Sequence, residues 1–125
     1  MNLKPAVILA LGLLAATPAL AQPTDINAII GSIGKSEFLD AASDVDGASS
    51  ARVVRLSTFL GASGAADRLA RAEAIYGRDL DFLHSRLVIS PIAMQAIRAS
   101  GFTVNEIVAL SLDSEGSAIL YADDL

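Results

Sequence analysis

The chain has 125 residues, a formal net charge of −5, 53% hydrophobic residues and no cysteine. An acidic surface repels phosphate backbones and anionic lipid headgroups, so nucleic acid is not an expected partner. Without cysteine there is no disulfide, and the fold must depend on a hydrophobic core.

The first 21 residues have the three-part pattern of a cleaved secretory signal. Lys4 supplies a positive charge, residues 6–16 form an apolar run, and Ala-Leu-Ala at 19–21 is a small-x-small cleavage site. The apolar run is shorter than the roughly 20 residues that span a bilayer, so no stable membrane anchor is expected after cleavage. We therefore predict cleavage after Ala21 and a periplasmic or secreted bacterial protein.

The mature chain, residues 22–125, is long enough for one domain and too short for two. Residues 22–50 predict a short isoleucine-rich helix followed by a polar linker, and residues 51–125 predict an α+β domain. Residues 34–36, Gly-Lys-Ser, match the last three residues of a phosphate-binding P-loop motif. However, Ile29 stands where that loop requires its first glycine, and a helix precedes it instead of a strand. No nucleotide site is predicted.

Residues 51–125 contain the patterns of strands and helices in α+β order. Runs rich in β-branched and apolar residues predict strands, and two of these runs flank a turn ending in glycine, which predicts a hairpin. Apolar residues at spacings of three and four predict a long amphipathic helix. We expect a small three-stranded, mainly antiparallel sheet packed by two to three helices. The strands are expected at 51–60, 107–112 and 117–122, and the helices at 65–87 and 91–100.

The acidic residues between 40 and 46 suggest a calcium loop without completing it. Asp44 and Asp46 precede a glycine, as in the middle of an EF-hand loop, but that frame lacks its first carboxylate and its final glutamate. Asp40 is nearby and is a third candidate calcium ligand in an irregular site. A protein that binds calcium weakly, or another small ligand, stays open as an alternative.

His84 is the only histidine, and Asp81 lies one helical turn before it. A carboxylate can orient a general base, so an enzyme that uses His84 and Asp81 is a further alternative. No nucleophile accompanies the pair, and one histidine without cysteine does not make a zinc site. We therefore assign no catalytic, cofactor-binding or metal-binding residues, and the sequence favours a non-catalytic protein without a cofactor.

Three segments carry a resemblance to a known group of proteins. They are DINAIIGSIGK near the mature N-terminus, ARVVRLSTF in the first predicted strand, and GFTVNEIVALSLDSEGSAILYADDL at the end. Their order resembles that of small exported alphaproteobacterial proteins of unknown function. One departure is Tyr121-Ala122, where the group has tyrosine-valine. The resemblance implies export and the order of elements, and it implies no activity and no site residues.

The predicted hairpin has apolar residues on both faces. Strict alternation places Val108, Leu110 and Leu112 on one face, with Ile107 and Ala109 on the other. The predicted helices cover one face, so the second needs the N-terminal helix or another subunit, since a large exposed apolar patch indicates an interface. The main expectation is therefore a protein that binds another periplasmic protein or itself.

Overall fold

The computed structural model describes residues 25–125, and the predicted signal peptide lies outside them. These residues form five α-helices and one three-stranded sheet, which confirms the α+β class. Within this part of the chain, no helix is both long and apolar enough to cross a membrane. The elements are α1 (Ile26–Ser32), α2 (Ser36–Asp44), β1 (Ser50–Arg55), α3 (Ala66–Ile75), α4 (Gly77–Val88), α5 (Pro91–Ser100), β2 (Ile107–Leu112) and β3 (Ser117–Ala122).

The sheet is mixed, with the strand order β1-β3-β2. The hairpin of β2 and β3 is antiparallel, as expected, whereas β1 pairs in parallel with β3. A parallel neighbour requires a long crossover connection. Three helices and β2 separate β1 from β3 along the chain, and this long connection brings β3 back beside β1 in the same direction.

Both faces of the hairpin are buried within the chain. Val108, Ala109 and Leu110 follow one another along β2, and the exposed fraction of each is 5% or less. On β3, Leu120 and Tyr121 are buried as well. Because successive strand residues point to opposite faces, this chain covers both faces itself. The expected surplus of apolar sheet surface is therefore not present.

A β-bulge at Val108 changes which residues share a face. Ile107 pairs with Ala122, and Ala109 pairs with Tyr121, although these partners are neighbours on β3. Ile107 and Ala109 therefore lie on opposite faces, whereas strict alternation predicted the same face. The extra residue of a bulge shifts the alternation by one position.

The segment predicted as a polar linker contains helix α2. Phe38 and Ala42 lie four residues apart on α2, and their exposed fractions are 2% and 0%. Because few residues of this short helix are apolar, its sequence resembles that of a loop. The helix is stabilised by packing more than by helix propensity. Since α2 packs against β2 and α4, residues before position 50 belong to the hydrophobic core.

The long helix predicted at 65–87 is two helices that meet at Tyr76. Tyr76 has φ −107° and ψ 31°, outside the helical region. Its ring lies against Gly34, where an added Cβ would overlap the ring. Leu69 on α3 and Leu83 on α4 are both buried, so the apolar side continues across the break. That continuity explains why the sequence pattern predicts a single helix.

Helix α5 begins and ends where the sequence predicts. The Ser90 hydroxyl oxygen accepts a hydrogen bond from the backbone N–H of Ala93 at 3.2 Å, and Pro91 is the first helical residue. Gly101 ends the helix in the left-handed conformation, with φ 84°. These are the N-terminal cap, first-turn proline and C-terminal glycine that commonly bound a helix.

Candidate functional site

A groove with a volume of about 490 Å³ lies between α1, α2 and β2. Its volume falls within the range of about 300 to 1,000 Å³ that is usual for ligand sites. Apolar residues from all three elements line it, including Ala28 and Ile29 of α1, Phe38 and Ala41 of α2, and Leu110 and Leu112 of β2.

Two hydroxyl groups lie together in the lining of the groove. The hydroxyl oxygen of Tyr121 on β3 is 3.4 Å from that of Ser111 on β2. Tyr121 is only 3% exposed, and its ring packs edge-on against Phe59 with the ring centres 5.8 Å apart. The packing fixes the ring, so the hydroxyl pair is a preorganised polar point in a mainly apolar groove.

The outer edge of β2 presents unpaired backbone groups to the groove. The N–H of Asp113 donates to the carbonyl of Ser117, which makes this a hydrogen-bonded pair of the antiparallel ladder. Bonded and non-bonded pairs alternate, so Leu110 and Leu112 belong to non-bonded pairs and their N–H and C=O groups point away from β3. Among residues 25–125, no hydrogen bond from another element reaches these groups.

One wall of the groove is acidic. Glu37, Asp40 and Asp44 lie three and four residues apart along α2, and all three are exposed. No salt bridge within the described structure involves them. The residues that line the groove include no lysine, arginine or histidine. The groove therefore combines apolar surface, a free strand edge and concentrated negative charge.

Arg86 of α4 holds the C-terminal end of this wall in place. Its Nη2 atom lies 3.0 Å from the Asp46 carboxylate and donates to the Ser43 carbonyl at 3.3 Å. The last carbonyl groups of a helix have no partner within the helix, so the guanidinium group caps α2. Asp46 therefore forms its salt bridge outside the groove.

The three aspartates proposed as calcium ligands are divided by the fold. Asp40 and Asp44 lie on the groove wall, whereas Asp46 pairs with Arg86. In the part of the chain that the structure describes, no group of three or more histidine, cysteine, aspartate or glutamate side chains is placed to hold a metal ion. In the turn between β2 and β3, the Asp113 carboxylate accepts hydrogen bonds from the backbone N–H groups of Glu115 and Ser117.

His84 and Asp81 do not form the expected pair. The Nε2 atom of His84 lies 2.7 Å from the carbonyl oxygen of Ile107. Since a carbonyl oxygen can only accept, Nε2 carries the proton and donates it. Asp81 is exposed, and none of the hydrogen bonds found in residues 25–125 joins it to His84. His84 thus links α4 to the start of β2.

A pair of carboxyl groups far apart in the sequence was not predicted. Glu73 on α3 contacts Asp123, which follows β3. Burial raises the pKa of Glu73, and both the hydrogen bond to Asp123 and the negative charge of Asp123 raise it further. Together these causes raise the pKa from 4.5 to about 7. Next to this pair, the Asp124 carboxylate accepts hydrogen bonds from the Ser57 N–H at 2.8 Å and the Ser57 hydroxyl at 2.6 Å. These contacts hold the acidic C-terminus against the fold, although Asp124 itself stays exposed.

Comparisons with protein-family models, curated proteins and solved structures found no match for this chain. The geometry and charge of the groove are thus the basis for a functional proposal.

Proposed function

We propose that this protein is an exported interaction module that binds a segment of another protein in the groove between α1, α2 and β2. The observation that carries the proposal is the free edge of β2, where the backbone groups of Leu110 and Leu112 face the groove. A strand edge with unpaired N–H and C=O groups is a template for an additional strand.

The groups in the groove are suited to recognition. Tyr121 and Ser111 provide hydroxyl groups for hydrogen bonds, and the apolar lining provides contact area. His84 does not line the groove, and its Nε2 proton is donated to a carbonyl. Glu73, the group with the raised pKa, also lies outside the groove lining. These positions favour binding over catalysis.

Export is the second part of the proposal, and it is supported by the signal pattern in the first 21 residues. We expect the protein from the producing cells to be recovered in the periplasm or medium with Gln22 as its first residue. N-terminal sequencing of the protein from each cell fraction measures this. Recovery of uncleaved protein with Met1 in the cytoplasm would contradict export.

Site-specific photo-crosslinking tests the binding site. A photoreactive phenylalanine analogue replaces Ala41 in the groove, and the matched control places it at Ala74, which is exposed on α3. After irradiation of producing cells, we expect one protein to be linked at position 41 and not at position 74. Mass spectrometry identifies that protein, and its binding to the purified chain is then measured directly.

The outcome at the two positions decides the proposal. An identified protein that links only at position 41, and that binds the purified chain, supports the groove as the binding site. Equal labelling at positions 41 and 74, or labelling at position 74 alone, contradicts it.

A further inference from the structure

We infer that the occupant of the groove is an extended basic peptide segment that adds to β2 as a fourth strand. The inference rests on the proposed function and adds the chemistry of the partner. It is carried by two features of the groove, the direction of the free backbone groups and the charge of the α2 wall.

The backbone geometry favours an extended segment. Leu110 and Leu112 present their N–H and C=O groups on the same edge, with one residue between them. This spacing matches a neighbouring strand, which offers a donor and an acceptor at every second residue. Leu112 is half-buried and Leu110 is buried, so the segment enters beside Leu112, near the hairpin turn.

The charge of the wall favours a basic segment. Asp40 lies three residues after Glu37 and four before Asp44, and like charges at these spacings repel one another on a helix. Asp44 is also the last residue of α2, where the helix dipole disfavours negative charge. Lysine or arginine side chains placed opposite the wall relieve both effects.

A strand presents every second side chain on the same side. We therefore expect a segment with basic residues at alternate positions, so that these residues face Glu37, Asp40 and Asp44 together. The apolar residues between them contact the remaining lining of the groove.

A second copy of this chain fits the charge of the groove less well. The chain has a net charge of −5, so two copies repel one another overall. Arg52 and Arg55 lie on the edge strand β1, but each copy also carries the acidic excess of the whole chain. The inference therefore commits to a segment of a different protein.

Fluorescence anisotropy with synthetic peptides tests the inference. The probe is an end-capped, labelled heptapeptide in which lysine alternates with valine. One control peptide has glutamate in place of each lysine, and another has N-methylated backbone on the residues that face β2. We expect the lysine peptide to bind at least tenfold more tightly than either control, because one control reverses the charge and the other removes the strand hydrogen bonds.

Matched variants of the protein assign the binding to the wall. Asp40→Asn with Asp44→Asn should raise the Kd of the lysine peptide by about tenfold, the effect of weakening two exposed charge pairs. The control double variant, Asp67→Asn with Asp81→Asn, removes the same charge from exposed positions outside the groove and should change the Kd by less than about twofold. Circular dichroism confirms that both variants are folded.

The outcomes separate this inference from the proposed function. Equal binding of the lysine and glutamate peptides, or binding that N-methylation leaves unchanged, overturns the inference. If no peptide binds while Ala41 still links to an identified partner, the partner chemistry is wrong and the interaction site remains. If neither peptide binding nor a groove-specific link is found, both fail. A concentration-dependent dimer linked through Ala41 assigns the groove to a second copy instead.

Discussion

The burial of Glu73 and its contact with Asp123 are expected to make the stability of this protein depend on pH near neutrality. The folded pKa of Glu73 is raised from 4.5 to about 7, so between these values the folded chain keeps a proton that the unfolded chain releases. This contribution to stability is fully present below pH 4.5 and is lost as the pH rises through about 7. The variant Glu73→Gln removes the ionisation and keeps a donor for Asp123.

The size of the effect follows from the pKa shift and the exposure of the group. A rise from 4.5 to about 7 corresponds to an upper limit of about 3.4 kcal/mol. Glu73 is only half-buried, and solvent screening reduces the measurable effect to about 1 kcal/mol. We therefore expect Glu73→Gln to raise the free energy of unfolding by about 1 kcal/mol at pH 8 and to leave it unchanged at pH 4.

Urea unfolding followed by circular dichroism at pH 4, 6 and 8 measures this difference. Asp67→Asn is the control, because it removes a negative charge from an exposed position on the same helix. The gain for Glu73→Gln should grow with pH, whereas Asp67→Asn should give no gain at pH 8, because the helix dipole favours a negative charge in the first turn of α3. A gain that is the same at all three pH values, or a loss at pH 8, would refute the raised pKa of Glu73.

Two further substitutions test the packing and the charge of the fold. Gly34→Ala should lower the free energy of unfolding by about 2 to 4 kcal/mol, because the added Cβ overlaps the Tyr76 ring and φ is +80°. Gly101→Ala is the control, because Gly101 has a similar φ of +84° but no atom close to an added Cβ. It should lower the free energy of unfolding by about 1 to 2 kcal/mol in the same urea titration. Equal losses for the two variants would show that the Tyr76 ring moves aside freely. Asp44→Asn should raise the midpoint of thermal unfolding and raise the free energy of unfolding by about 0.5 kcal/mol, because it removes a negative charge from the C-terminal end of α2. A lower midpoint would mean that Asp44 stabilises the fold.

The sequence predicts the elements whose signals are local. The ends of α5 are set by Ser90, Pro91 and Gly101, which act through contacts within a few residues. The sequence rules for helix starts and stops therefore locate both ends correctly. The hairpin is equally local, since a short turn joins two apolar runs. The break at Tyr76 is different, because it coincides with packing against Gly34, which is distant in the sequence.

The candidate site depends on contacts that no local rule describes. The groove exists because α2 packs beside β2, and α2 resembles a polar linker in composition. The free edge at Leu112 follows from the strand order, which the long connection between β1 and β3 determines. The contact between Glu73 and Asp123 likewise joins two elements that only the folded chain brings together. His84, in contrast, is conspicuous in the sequence and has a structural contact in the fold.

The two sides of α2 have opposite effects on stability, and this contrast connects the fold to the proposed function. Phe38 and Ala42 bury the inner side, and Arg86 caps the C-terminal end, so these contacts hold the helix in place. The acids on the groove side oppose the helix through mutual repulsion and, at Asp44, through the helix dipole. Substitutions that neutralise Asp40 and Asp44 should therefore stabilise the free protein while weakening its binding of a basic segment; Glu37 differs, because the helix dipole favours a negative charge in the first turn. A stabilising change that reduces binding is the behaviour expected where charge serves recognition more than folding.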